Sequence, residues 1–116
     1  MAEIQEFDQA LIQGYIENLG VSVVERMLEL YIQQSAIYLQ EIEQAIKTES
    51  QDDWQERCHK MKGAAASVGL MNIHALMADI EKSTLPWVEK AQLIERVSSL
   101  NSQAIGSFKE WLAGIS

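Results

Sequence analysis

Trp54-Gln-Glu-Arg57-Cys58-His59-Lys60-Met61-Lys62-Gly63-Ala-Ala65-Ala66-Ser-Val68-Gly69-Leu70 occupies the middle of the chain. Trp54, Cys58, Met61, Ala65 and Val68 recur at steps of four and three, the period of a helix with one face turned to a core. His59 falls just off that stripe. Residues three and four positions on lie beside a helical side chain, so Lys62 and Gly63 are its immediate neighbours. Helical side chains lean toward the N-terminus, and Gly63 has nothing with which to cover the imidazole. A mid-helix glycine costs about 1 kcal/mol relative to alanine. Next to three alanines, Gly63 reads as a position where access outweighs propensity.

The rest of the chain extends the helical pattern. Asp8 can cap a short helix through about Leu19, with Leu11, Ile12, Tyr15 and Ile16 at helical spacing and Gly20 as its stop. This helix is expected to be a lid. Ser22 is expected to cap a second helix to about Thr48, with Val24, Leu28, Tyr31, Ser35, Tyr38, Ile42 and Ala45 inward. Asp52 or Asp53 would cap the third helix, which Gly69 closes. Asn72 would open a fourth, with Ile73, Leu76, Met77 and Ile80 inward and a break over Ser83 to Pro86. A last helix from about Val88 carries Ala91, Leu93 or Ile94, Val97, Leu100, Ala104, Phe108, Trp111 and Ile115. Long helices with short connections become antiparallel neighbours. The expected fold is all-α, an up-and-down antiparallel four-helix bundle with an additional short N-terminal helix.

Composition agrees. The 116 residues, 47% hydrophobic, suit one domain over 1–116. One proline, six scattered glycines and two phenylalanines are few of the residues that punctuate sheets. A net charge of −8 and a pI near 4.6 disfavour nucleic acid and direct membrane contact, since both need a basic face. One cysteine allows no internal disulfide, and neither a secretory leader nor an apolar run near 18 residues is evident. The expected setting is reducing and cytoplasmic, with the domain free or a piece of a longer membrane-bound protein.

His59 has the surroundings of a phosphate carrier. Attack on a phosphoryl group needs an unprotonated ring nitrogen, an open approach and nearby positive charge. Lys62 is best placed to give that charge, with Arg57, Lys60 and Lys82 as a local basic patch. Glu81, on a fourth helix running back beside the third, is the candidate to accept from Nδ1–H and leave Nε2 free. Ordinary solvated charges are the competing reading for Arg57, Lys60 and Glu81. His74 has no cation nearby and reads as a surface or helix-entry residue. Cys58 reads as core, and Cys58-His59 cannot close a metal site because adjacent positions diverge by about 100°. Asp52-Asp53 reads as a cap, so no metal is expected. The glycines are never closer than six residues apart, which leaves no phosphate cradle, and no nucleophile with an oriented base is seen. Autokinase activity and ATP binding are therefore not expected.

His59-x-x-Lys62-Gly63 followed by Gly69-Leu70 resembles the signature of histidine-containing phosphotransfer (HPt) domains of two-component phosphorelays. The resemblance covers nearly the whole chain, including Leu85-Pro86 and the closing Lys109-Glu-Trp-Leu, and is to C-terminal HPt domains of ArcB-type hybrid sensor kinases in particular. It implies that His59 accepts a phosphoryl group at Nε2 from the aspartyl phosphate of a receiver domain and passes it to a response-regulator receiver. It implies further that Lys62 helps hold the phosphate, that Gly63 gives the receiver room, and that Glu81 stands where some members place a glutamate or glutamine bonded to the histidine. No cofactor is implied, because Mg²⁺ belongs to the receiver. The expected docking patch draws on Leu11, Ile12, Tyr15, Ala66, Val68 and Leu70, with Arg57 and Lys60 at its edge, on a monomer that docks two partners in turn. The alternative is a non-catalytic helical adaptor in which His59 is idle. A receiver domain itself would need alternating strands and helices, and no strand period is present.

Overall fold

The computed structural model describes residues 6–115; the ends of the expected single domain, 1–5 and 116, lie outside the described residues. The described residues form five helices and no strand: α1 (Gln9–Leu19), α2 (Val21–Lys47), α3 (Gln51–Ser67), α4 (Met71–Ile80) and α5 (Trp87–Ile115). Helices α2 to α5 pack in cyclic order, each on its sequence neighbour and α2 against α5, while α1 lies on α2. This is the up-and-down bundle with an added N-terminal helix. Among the described residues no helix is long and apolar enough to cross a membrane.

The α3 stripe turns wholly inward: Trp54, Cys58, Met61, Ala65 and Val68 are buried with Val24, Leu28, Tyr31, Ile42 and Ala45 of α2. At the end of α3, Gly69 takes φ 78°, a left-handed conformation that glycine adopts without a Cβ clash. The Leu70 amide returns to the Ala65 carbonyl at 2.9 Å, which closes the helix as a Schellman turn. Helix α1 covers this turn. Asp8 caps α1 by accepting from the Leu11 amide at 3.0 Å and donates its own amide to the Gly69 carbonyl at 2.7 Å. Ile12 is fully buried, and a Cβ on Gly69 would meet it at 3.3 Å.

Three expected caps are corrected. Helix α2 begins at Val21 because Gly20, at φ 91°, turns the chain and the Val24 amide bonds to its carbonyl, so Ser22 lies inside the helix. Ser50, not Asp52 or Asp53, caps α3, its hydroxyl accepting from the Asp53 amide at 3.2 Å. The aspartates occupy the first turn, where negative charge suits the helix dipole. Helix α4 begins at Met71, leaving Asn72 in its first turn with its side-chain oxygen buried and unbonded among the described residues.

Helix α5 departs furthest from expectation. Its buried positions are Lys90, Ile94, Val97, Asn101, Ala104, Phe108 and Leu112, while Ala91, Leu100 and Trp111 are half-buried and Ile115 is exposed. Asn101 belongs to a buried polar chain that fixes α5 against α2: Tyr31 donates to its Oδ1 at 2.6 Å, and its Nδ2 donates to Ser35 Oγ at 3.2 Å.

Candidate functional site

Because the turn over residues 68–70 sends α4 back along α3, the C-terminal end of α4 arrives beside the middle of α3. Glu81, immediately after α4, reaches the imidazole of His59: Nδ1 lies 3.1 Å from Oε1. Lys62, one turn on, places Nζ 2.9 Å from the same oxygen and 3.4 Å from Oε2. The carboxylate thus bridges the histidine and the lysine. The Glu81 side chain is 12% exposed, Lys62 22%, and His59 69%. A buried anchor holds an open ring.

An ionised carboxylate can only accept hydrogen bonds. Burial, the largest influence on Glu81, works to raise its carboxyl, but hydrogen bonds and charge from Lys62 and His59 together hold it below the ordinary range. The bond therefore places the proton on Nδ1. In the neutral ring the lone pair then sits on Nε2, which has no partner among the described residues. That nitrogen is available as a nucleophile.

The ring borders a shallow groove lined by Asp52, Gln55, Glu56, Lys60, Glu81 and Lys82. Gly63 is exposed, and a Cβ built on it would meet nothing within 4 Å. No packing within the domain requires glycine there.

The expected basic patch is smaller than its sequence suggests. Arg57 turns away to α2, where its guanidinium meets Glu41 at 2.9 Å, and it does not line the groove. Lys60 pairs with Glu56 at 3.3 Å on the exposed face. The expected apolar docking patch also needs correction. Ile12 and Leu70 are fully buried and Val68 nearly so, because the α3–α4 turn and its α1 cover consume them as core. Leu11, Tyr15 and Ala66 keep partial exposure, and Tyr15 donates to the Ser67 carbonyl at 3.3 Å.

His74 lies away from the groove, with Nδ1 3.2 Å from the Lys62 carbonyl, a tie between α4 and α3. Cys58 is buried, its thiol pushed up to about 12 by burial first and by the charge of Glu81 next, with Lys90 opposing. Among the described residues no group of three or more His, Cys, Asp or Glu is placed to hold a metal ion.

Sequence reasoning missed a polar cluster beneath Glu81. Lys90 is buried on α5, Nζ 2.6 Å from Gln51 Oε1 and 4.1 Å from the centre of the Trp87 ring. Its signal was present but indirect: steps of four and three run back from Ala104 through Asn101, Val97 and Ile94 to Lys90.

Comparison with known proteins agrees with the fold. The family model described as "Hpt domain" matches residues 26–108. Among curated proteins, the aerobic respiration control sensor protein ArcB of Escherichia coli strain K12 is 26% identical over 108 residues, 91% of this chain. The protein of the same name from Shigella flexneri matches equally. The alignment covers 14% of the length of these relatives. Among solved structures, the histidine-containing phosphotransfer domain of ArcB from Escherichia coli superimposes with a TM-score of 0.82 at 25% identity, covering 95% of each chain.

Proposed function

The chain belongs to the Hpt domain family, and on that premise we propose that His59 relays a phosphoryl group between receiver domains in two-component signalling. The observation that carries the reading is the Glu81 carboxylate on Nδ1, which fixes the tautomer that leaves the lone pair on Nε2 of a mostly exposed ring.

The chemistry follows from that tautomer. Nε2 attacks the phosphorus of an aspartyl phosphate presented by the first receiver. The N–P bond forms as the P–O bond to the aspartyl carboxylate breaks, and that carboxylate leaves with the electron pair. No proton has to move. The ring gains positive charge on phosphorylation, and the Glu81 carboxylate on Nδ1–H stabilises it. The reverse step delivers the group to an aspartate of the second receiver. Lys62 has further ammonium protons beyond its contact with Glu81 and offers them to the phosphate oxygens. Gly63 lets the receiver's active site approach the ring. Mg²⁺ comes with the receiver, and the domain contributes an oriented nucleophile and local charge, as suits a reaction governed by alignment and electrostatics.

Transfer from a radiolabelled phospho-receiver of an ArcB-type kinase tests the reading. Acid-labile, alkali-stable label is expected on the wild type and none on His59→Gln. Equal labelling of His59→Gln would overturn it, while absence of label on the wild type would favour a helical adaptor with an idle histidine.

A further inference from the structure

Lys90 is 2% exposed, and lysine is among the residues least often fully buried without a charged partner. Among the described residues no carboxylate pairs with it. Its ammonium instead donates to Gln51 Oε1 at 2.6 Å and lies over two indoles, 4.1 Å from the Trp87 ring centre and 5.5 Å from that of Trp54. Cation–π attraction is strongest where water is excluded, and tryptophan is its best acceptor. A methionine of similar length would fill this space without carrying a charge into the interior.

The two α3 residues that the ammonium engages each grip one side of Glu81. Trp54 Nε1 donates to the Ile80 carbonyl at 3.0 Å, the residue before the carboxylate. Gln51 Nε2 donates to the Ser83 carbonyl at 3.1 Å, two residues after it. The Lys90 bond on Oε1 fixes which end of the Gln51 amide faces α5 and so turns Nε2 toward Ser83. One buried cation on α5 thus orients both clamps that hold the exit of α4 against α3. Glu81 is the only residue of that exit that reaches His59 among the described residues.

We propose that Lys90 is a positioning residue for the histidine: acting through Gln51 and Trp54, it sets the Glu81 backbone and thereby the Nδ1–H tautomer of His59. It touches neither the ring nor the transferred group. The consequence for transfer rests on the reading of His59 as the phosphoryl acceptor, whereas the consequence for the tautomer does not.

The test is Lys90→Met, which keeps the apolar stem against the indoles and removes the ammonium. Circular dichroism reports folding, and nitrogen-15 spectra of the His59 ring report the tautomer, which a merely structural role would leave unchanged. The expected result is a folded variant whose proton population shifts from Nδ1 toward Nε2, with phosphotransfer slowed about tenfold, the scale on which partners that orient a functional group act. A folded variant with the wild-type tautomer would overturn the proposal. Should Lys90→Met not fold, Gln51→Leu, which severs the Ser83 clamp, decides in the same way: a shifted tautomer supports the proposal and a wild-type tautomer overturns it. A shifted tautomer in a protein that accepts no phosphoryl group even as wild type would sink the relay function and leave the positioning role standing.

Discussion

His59 combines two properties that usually exclude one another, a mostly solvent-exposed ring and a fixed proton position, and Glu81 reconciles them from below. Gly63 keeps the approach clear without being needed by the fold. A Cβ at Gly63 meets nothing within 4 Å, and Gly63→Leu replaces a poor helix former by a good one, so stability should rise by roughly 0.5–1 kcal/mol. Phosphotransfer should nevertheless fall by about a hundredfold, the scale of a displaced approach. Thermal melting and the receiver transfer assay check the two halves, and normal transfer by the folded variant would remove the steric role of Gly63. Glu81→Gln separates orientation from charge. The amide oxygen can still accept from Nδ1–H, but it cannot balance the charge of the phosphorylated ring. Transfer by Glu81→Gln should therefore fall between that of the wild type and of Glu81→Ala; identical rates for all three would show that the carboxylate contributes nothing.

At the scale of elements, α2 and α5 are matched by more than apolar contact. Tyr31→Phe would leave Asn101 Oδ1 without its 2.6 Å donor in the core and should destabilise the bundle by roughly 1–3 kcal/mol in urea denaturation; a loss below about 0.5 kcal/mol would mean that the pair sets no register. This pair also marks the limit of the sequence. Apolar period made α3 legible throughout, because every stripe residue from Trp54 to Val68 is hydrophobic and buried. It misread α5, because Lys90 and Asn101 occupy core positions that hydrophobicity assigns to solvent. Helix starts were the other weakness: Ser22, Asp53 and Asn72 are all good capping residues, and which of several nearby candidates caps depends on where tertiary packing bends the chain. At the site, His59, Lys62 and Gly63 are readable from one helix, since i+3 and i+4 neighbours need no tertiary information. The Glu81 contact could be anticipated only from helix order. The orientation of Arg57 toward Glu41 could not be anticipated, because it depends on how α2 sits beside α3.

The whole molecule couples fold to site through one carboxylate, which ties α4 to α3 and the proton to Nδ1. Its lowered protonation range makes that tie sensitive to acid. A carboxyl held below its unfolded value near 4.5 contributes stability that is present above about pH 4.5 and disappears as pH falls through the folded value. The stability advantage of the wild type over Glu81→Gln should therefore be full at pH 7 and shrink between pH about 4.5 and lower values; urea denaturation across that range checks it, and an advantage independent of pH would contradict the assignment of Glu81 as an ionised anchor. On the proposed relay, this bundle presents Nε2 of His59 and no other atom to the incoming phosphorus. One-bond coupling between nitrogen-15 and phosphorus-31 in the phosphorylated, ring-labelled protein measures it directly. The coupling is expected at Nε2 of His59; coupling at Nδ1, or at His74, would rule out Nε2 of His59 as the acceptor.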